Sequence, residues 1–565
     1  MKRTLSFLLA ASLLIAAGCE EKKPGNEVPG EPADTLPVAV KPISWKWDGT
    51  KRADISYQVL VYSFADKDGN GYGDLAGVAD KMAYFDSLGV GALWLSPIHP
   101  SQSYHGYDVT DYTAVSAKLG TMDSFKAMLK AAHDHKIKIY LDFVLNHTGD
   151  KHPWFVSAKS SESSTYRNYY IFSKNPQQDI SSGSIPMIAT EGANGYNSGE
   201  WFSAGSGWYY HANFYTGMMP DLNYGPVSTC TSSPAFKAVT DAADGWIKLG
   251  VDGFRLDAVK HIYHNTTSDE NPTFLKAFYD HCNATYKAQG HSDDIYMVGE
   301  MWSEHDQVAP YYAGLPALFE FSFWYRLKSA LITKSGDKEY YPAKNLANDL
   351  MGYRKEYAAR RANPIVATKL SNHDEDRAAE DLGKDDAKIK QAAAILLTAS
   401  GSPYIYQGEE LGYYGNKGGG DEYVRTPIVW DAAATKVAKG ALSRRVIDDL
   451  MTSAYSVETQ EKNGSSVLET YRRFAQLRNH SAALAQGEME AHATYNHNNT
   501  EFSSIACWYR VSGSDKVLVV HNVGDSGVSM GISDDLSKPL ILLGSAKTSK
   551  GKLHIGAHSS VVFQL

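Results

Sequence analysis

The sequence predicts an α/β fold: a (β/α)8 TIM barrel with a subdomain inserted after its third strand, followed by a C-terminal antiparallel β-sandwich. Three observations carry this. Short apolar runs alternate with helical patterns, and the runs start at Ile55, Ala92, Ile137, Val251, Ile295, Leu318, Ile365 and Pro403. Strands joined by helices lie parallel, and an eightfold alternation closes a barrel. The rhythm breaks after His147, where residues 148–222 are polar and rich in Gly, Ser, Asn and Tyr. Beyond His480 the helical period disappears, and SSIACWYRV, KVLVVHNV, PLILLG, KLHIG and SSVVFQL read as strands of a separate domain.

Taken in order, the chain begins with Lys2 and Arg3, an apolar run over 5–17, then Gly18. This is the pattern of an export signal, too short to span a bilayer. Ala16-Ala17-Gly18-Cys19 resembles the lipobox of bacterial lipoproteins, although Ala16 stands where that motif usually has Leu. It implies that Cys19 becomes the lipidated first residue of the mature chain. Glu20-Glu21 resembles a signal that sends such lipoproteins to the cell surface, so the expected location is the outside of an outer membrane. Residues 20–53, rich in Pro, Glu, Lys and Gly, read as a flexible tether. The expected divisions are signal 1–18, tether 19–53, barrel 54–147, insertion 148–222, barrel 223–480 and sandwich 481–565.

Within the barrel, ISYQVLVYSF, GALWLS and IKIYLDFV are separated by helices over 76–88 and 123–135. After the insertion come a helix over 234–249, the strand leading to Asp257, a helix over 273–288, and the runs DIYMVGE and LFEFSF read as strands. A helix over 343–360, the run PIVATKLSNHD, a helix through 389–398 and SPYIYQGEE complete the set. Residues 407–465 are irregular, and a last helix covers 467–478.

The chain has 565 residues, 43% of them hydrophobic, enough for a large core. A net charge of −9 with dispersed Lys and Arg excludes a nucleic-acid partner. Thirty-six Tyr and 11 Trp offer flat faces on which the C–H faces of sugars stack. Cys230, Cys282 and Cys507 are odd in number and far apart, which indicates neither a disulfide framework nor a zinc site.

The chemistry begins at GVDGFRLDAVKH. Val251, Phe254 and Leu256 suit a buried strand, while Arg255 and Asp257 are two apart and share a face. A guanidinium beside a carboxylate keeps it ionised and aimed, as an attacking carboxylate requires. Other strand ends add Asp142, Asn146 and His147, then Glu300, then His373 and Asp374. Like charges converging on one barrel mouth destabilise a fold unless they are used. In DKDGNGYGD, the alternation of Asp66, Asp68, Asn70, Tyr72 and Asp74 places side-chain oxygens and a backbone carbonyl around a hard cation, expected to be Ca2+. It is not an EF-hand, because the twelfth position is Gly77.

DFVLNH, GFRLDAVKH, GEMW and SNHD, with MPDLN at 219–223, resemble the signature regions of glycoside hydrolase family 13, the α-amylase family. KRADISYQ, SPIHPSQSYHGYDVTDY and the leader resemble its cell-surface starch-degrading members, one of which carries a starch-binding module that residues 148–222 are too few to hold. The resemblance implies Asp257 as nucleophile, Glu300 as general acid/base and Asp374 as the carboxylate that grips the distorted sugar. It implies His147 and His373 on sugar hydroxyls, Tyr107 under a ring, and Lys260, His261 and Trp302 at the cleavage point or beyond it. A second calcium site is implied at Asn146, Asp221 and the carbonyl of His261. The implied substrates are starch and maltooligosaccharides, cut within the chain at α-1,4 bonds, and the implied partners are glycan-binding and transport proteins of the same membrane. MPDLN also resembles neopullulanase-type sequences, which implies some α-1,6 cleavage. A non-catalytic starch-binding barrel is the alternative from another class, and the intact carboxylates argue against it.

Overall fold

The computed structural model describes residues 36–37, 54–334, 336–442 and 445–565; the signal, Cys19 and the tether apart from Leu36 and Pro37 lie outside these. Eight strands close a barrel: β1 (Ser56–Val59), β2 (Ala92–Leu95), β3 (Lys138–Phe143), β4 (Gly253–Leu256), β5 (Tyr296–Gly299), β6 (Ala317–Glu320), β7 (Ile365–Lys369) and β8 (Ser402–Tyr406). Neighbours in chain order pair in parallel, and β8 pairs with β1 through Tyr404↔Ser56 to close the ring. Alternation along each strand divides the side chains into two sets. Trp94, Tyr140, Val298, Phe319, Ala367 and Tyr404 fill the barrel as a core of their own. Leu93, Leu95, Ile139, Leu141, Phe254 and Leu256 face outward into the larger core shared with the helices.

The helices begin and end where their caps dictate. Met122–Asp134 starts with a capping box in which Thr121 and Ser124 satisfy each other's backbone N–H groups. Pro234–Leu249 has Ser233 as N-cap and ends at Gly250, whose φ of 104° is the left-handed turn that returns the chain into β4. The run LFEFSF is not one strand. β6 stops at Glu320, whose carboxylate accepts the Ser322 N–H at 2.9 Å and caps the helix Phe321–Ile332. The helix expected over 76–88 is likewise two pieces, Leu75–Ala79 and Met82–Leu88.

Between β3 and β4 the insertion carries the helix Pro153–Ser160 and a three-stranded antiparallel sheet of Phe172–Ser173, Trp208–His211 and Trp201–Gly205. The bridge His147↔Asp221 fastens it to the segment after β3, and Tyr170↔Leu222 joins its two ends. At the C-terminus a five-stranded sheet faces a four-stranded one, with Ile505, Leu518, Val520, Leu553, Ile555 and Phe563 between them. Trp508, Val517, Val519 and Val562, on the other face of the larger sheet, join the barrel core. Leu36–Pro37 is the edge strand of the smaller sheet, antiparallel to Thr548 and Lys547, so this part of the expected tether is ordered backbone. An edge is where a sheet tolerates a residue without an N–H. Among the described residues no helix is long and apolar enough to cross a membrane.

Candidate active site

Arg255 and Asp142 occupy inward positions near the C-terminal ends of adjacent strands β4 and β3, paired across the ladder. Arg255 is fully buried and holds three carboxylates at once. Its Nη1 donates to both oxygens of Asp142 at 2.9 Å and to Asp257 Oδ1 at 2.8 Å. Its Nη2 lies 2.9 Å from Glu300 Oε2, an ion-pair contact without hydrogen-bond alignment. The indole of Trp94 stacks 4.9 Å from the guanidinium and donates its N–H to Asp142 at 3.1 Å. Asp142 is pushed up to about 7 by burial, with Arg255 pulling it down and Asp257 pushing it up. Asp257 follows β4 directly, and Ala258 beyond it has a φ of 47°, a strained left-handed conformation of the kind found beside reacting groups.

Glu300, at the end of β5, is raised above the ordinary carboxyl range by burial; Arg255 opposes this, and the charges of Asp257 and Asp374 reinforce it. Asp374, after β7, behaves oppositely. Burial works against its charge, yet His373, Arg425 and Lys417 hold it well below the usual range. Arg425 Nη2 donates to Asp374 Oδ1 at 2.8 Å and Lys417 Nζ at 3.0 Å. The three carboxylates thus have three different environments within one cleft.

That cleft has a volume of about 330 Å³, and Asp257, Glu300 and Asp374 all line it together with Tyr107, His147, Lys260, His261 and Trp302. The Tyr107 ring lies parallel to His373 with centroids 5.5 Å apart, and its hydroxyl meets His373 Nε2 at 2.7 Å. Gln58 faces His373 Nδ1 at 2.8 Å through its amide N–H, which leaves the ring proton on Nε2. Burial lowers the His147 and His373 rings, and it lowers His261 to about 4, so all three are neutral at pH 7. The buried Nε2 of His147 has no hydrogen-bond partner among the described residues, leaving it free for a ligand hydroxyl. Trp302, 41% exposed, lies flat on Phe321, while Lys260 Nζ is held by the Trp302 carbonyl at 2.9 Å. Lys417, Arg425, His105, Phe214 and Met219 also line the cleft. Sequence reading missed them because they stand in stretches with no strand or helix period to place them.

The first expected cation site is brought together. Carboxylate oxygens of Asp66, Asp68 and Asp74 all lie within 4.8 Å of one another. Asp66 accepts the N–H groups of Gly69 and Gly71 at 2.8 Å, and Asn70 Oδ1 accepts the Tyr72 N–H at 2.7 Å, which winds the loop into a ring. An all-oxygen set with three carboxylates fits a hard cation such as Ca2+.

The second expected site, Asn146, Asp221 and the His261 carbonyl, is laid out differently. Asp221 Oδ2 is 2.7 Å from His211 Nδ1 and 3.3 Å from His264 Nε2, and Oδ1 accepts from Asn146 Nδ2 at 3.2 Å. Burial disfavours a charged His211, but its bonds to Asp221 and Glu200 prevail and raise it to about 9. Asn146 faces Asp221 with its amide group, and beside it Glu200, His211 and His264 bring ligand atoms within 4.8 Å of one another.

A parallel eight-stranded barrel with acids at the C-terminal ends of its strands, closed by an antiparallel C-terminal domain, has the architecture of a carbohydrate-cleaving barrel enzyme. The family model for the α-amylase catalytic domain matches residues 58–487, and that for the α-amylase SusG C-terminal domain matches residues 505–562. The chain is 41% identical to α-amylase SusG of Bacteroides thetaiotaomicron, with all of both chains covered. It is 34% identical to α-amylase 3 of Dictyoglomus thermophilum, covering 90% of this chain and 93% of that one. The crystal structure of the α-amylase from H. orenii superposes with a TM-score of 0.74 at 29% identity, over 91% of this chain and 99% of that one. The chain belongs to the α-amylase family of glycoside hydrolases.

Proposed function

We propose that the protein is an endo-acting α-amylase that hydrolyses α-1,4 bonds of starch and maltooligosaccharides with retention of configuration. The supporting observation is Arg255, which holds Asp257 by one guanidinium nitrogen and Glu300 by the other. Two carboxyls held by one guanidinium are close neighbours, and retention requires a close spacing, about 5–5.5 Å, rather than the wider one that admits a water between them. Asp257, bonded to Arg255, attacks the anomeric carbon, and Glu300, raised by burial, carries the proton to the departing oxygen. Cleavage leaves a sugar ester on Asp257. Glu300 then takes a proton from water, whose oxygen displaces the carboxylate. Asp374, kept ionised by His373, Arg425 and Lys417, accepts hydroxyls of the distorted ring. His147 Nε2 bonds a sugar hydroxyl. His373, whose two nitrogens are taken by Gln58 and the Tyr107 hydroxyl, positions Tyr107 and Asp374 instead. Tyr107 stacks under the ring, and Lys260, His261 and Trp302 meet the departing side.

The loop of Asp66, Asp68, Asn70, Tyr72 and Asp74 holds Ca2+ as a structural ion, and a second Ca2+ at Asn146, Asp221 and the His261 carbonyl pins the insertion to the barrel. Lipidation at Cys19 places the enzyme on the outer face of the outer membrane, beside glycan-binding and transport proteins that take up its products. Cys19→Ala then moves the protein from the membrane fraction to the soluble one.

The decisive test is Asp257→Asn and Glu300→Gln, both nearly isosteric. Turnover of amylose is expected to fall by at least about 10³-fold in each, with an unchanged melting temperature. Near-normal turnover in either purified variant refutes the assignment. Products from amylose, pullulan and maltotriose separate this reading from a neopullulanase-type activity, which also cuts pullulan.

A further inference from the structure

We propose that the inserted subdomain carries a second α-glucan-binding surface, separate from the catalytic cleft and built around Tyr196 and Tyr209. Among the described residues only three aromatic side chains stand well out of the fold: Trp302, Tyr196 and Tyr209, each 41% exposed. Trp302 lines the cleft. The two tyrosines line one other groove of about 580 Å³ on the insertion.

The three-stranded sheet explains why. Along Trp208–His211 the side chains alternate, so Trp208 and Tyr210 share one face and Tyr209 and His211 the other. The first face is closed. Tyr210 packs edge-on against Phe155, and the Arg167 guanidinium covers Phe172 at 3.6 Å and Trp208 at 4.4 Å. On the second face Tyr209 stands opposite Ser203 and Ser173, and His211 opposite Trp201. These neighbours are small around Tyr209, which leaves its ring without cover. Trp201 forms a wall of the groove; it is 92% buried by its 8% exposure, and its indole N–H has no hydrogen-bond partner among the described residues.

The polar lining selects the ligand class. Gln177 and Gln178 line the groove with exposed amides that bond no described residue, and each amide offers both a donor and an acceptor. Among the described residues no carboxylate lines it. Its one cation, Lys174, is engaged by Glu162 at 3.7 Å and by the Trp208 ring at 4.7 Å. A groove with flat rings, neutral amides and no free charge suits a neutral polyhydroxylated chain with apolar C–H faces, and disfavours a phosphate or an acidic peptide.

The groove also backs onto the cleft. The Trp201 ring meets His211 edge-on at 5.1 Å, His211 bonds Asp221, and Asp221 bonds Asn146, whose amide contacts the cleft residue His147 at 3.2 Å. A polymer held on the outer side of this wall is kept at high effective concentration near the catalytic carboxylates. The inference rests on the α-glucan reading of the cleft, so the test reads the two sites separately.

The full chain carrying Tyr196→Ala and Tyr209→Ala, and a second variant carrying Gln177→Ala and Gln178→Ala, are compared with the wild type. Retardation in native gels containing amylopectin is measured in an Asp257→Asn background, so that the polymer survives. Loss of two stacking rings is expected to weaken polymer binding about tenfold, and loss of the amides somewhat less. With Asp257 restored, kcat/KM on maltoheptaose stays within about twofold of wild type, whereas the rate on insoluble starch falls several-fold. Unchanged retardation in both variants overturns the second site. So does an equal loss on maltoheptaose and on starch, because the residues would then act through the cleft. Wild-type protein inert on maltoheptaose refutes the cleft reading itself.

Discussion

Arg255 shows how one residue sets the protonation of a whole cleft. A single guanidinium neutralises only part of the charge it faces, and burial raises Asp142 and Glu300 above the ordinary carboxyl range. Asp374 stays ionised because a separate set of cations serves it. This predicts the effect of Lys417→Met, which removes one of those cations from a side chain that is 34% exposed. The Asp374 carboxyl then rises toward its ordinary value. Because the ionised form is the working one, the acid limb of kcat/KM moves to higher pH, while the rate near neutrality changes little. A pH–rate profile with an unmoved acid limb rules out this role for Lys417. At this scale the sequence was legible wherever a residue closed a strand. Asp257, Glu300 and Asp374 come together because each follows a run of alternating buried residues that ends at one rim of the barrel. Lys417 and Arg425 come from the irregular 407–465 stretch, where no periodicity aims a side chain.

Among the elements, the starts of the barrel strands were read to within two residues, but their ends were not: ISYQVLVYSF stops being a strand at Val59 and continues as the helix Val61–Phe64. LFEFSF is apolar at nearly every position, which a buried strand and a buried helix start share, and only the capping bond from Ser322 N–H to Glu320 tells them apart. The DKDGNGYGD loop was legible because its ligands alternate locally and need no distant partner. It also supplies a clean test. Asp66 holds the N–H groups of Gly69 and Gly71, and Asp74 caps the helix Leu75–Ala79 through Gly77 N–H, so removing either damages the loop with or without a metal. Asp68 is exposed and bonds only Asn70, so Asp68→Ala removes a ligand and little else. Excess chelator is expected to lower the wild-type melting temperature by several degrees, at roughly 2–4 °C per kcal/mol of lost binding in a large chain, and Asp68→Ala abolishes most of that shift. A wild type whose melting temperature is unmoved after confirmed metal loss refutes the calcium site. Arg478 and Arg510 were not foreseen at all. Both are buried, and they donate to the carbonyls of Thr398, Ala399 and Gly401 just beyond the helix Asp386–Thr398, tying barrel to C-terminal domain. Arg510→Met removes the guanidinium donor from the carbonyls of Thr398, Leu484 and Gly487, while Ala399 and Gly401 keep Arg478, and is expected to cost roughly 3 kcal/mol, seen as a lower melting temperature with unchanged kcat on the folded fraction.

For the molecule as a whole, the seam between β8 and β1 is where barrel, flanking helices and last helix meet, and two buried glutamates lie on it. Glu409 accepts from Tyr471 on the helix Val467–His480 at 2.8 Å and from Ser371 after β7 at 3.0 Å. Glu410 accepts from Tyr57 on β1 at 2.8 Å and from Tyr84 on the helix Met82–Leu88 at 2.6 Å. In sequence QGEE ran on from the eighth strand, with no sign that its glutamates are buried, because burial here is produced by elements far apart in the chain. Burial raises Glu409 to about 7, with the charge of Glu410 adding to it and the bonds from Tyr471 and Ser371 opposing. The native state therefore keeps a proton that the unfolded chain releases near pH 4.3, and stability falls as pH rises through the interval between the two values. Below about pH 4.3 both states are protonated and above about pH 7 both are ionised, so the slope is confined to that window. Its integrated size is of order 3 kcal/mol. Glu409→Gln cannot ionise and keeps the carbonyl that accepts from Tyr471, so it is expected to be the more stable protein near pH 7.5 and no better at pH 4.5. Melting temperatures of the two proteins at both pH values decide the matter. A difference that does not depend on pH shows that Glu409 is ionised throughout and that the seam is held by charge rather than by neutral hydrogen bonds.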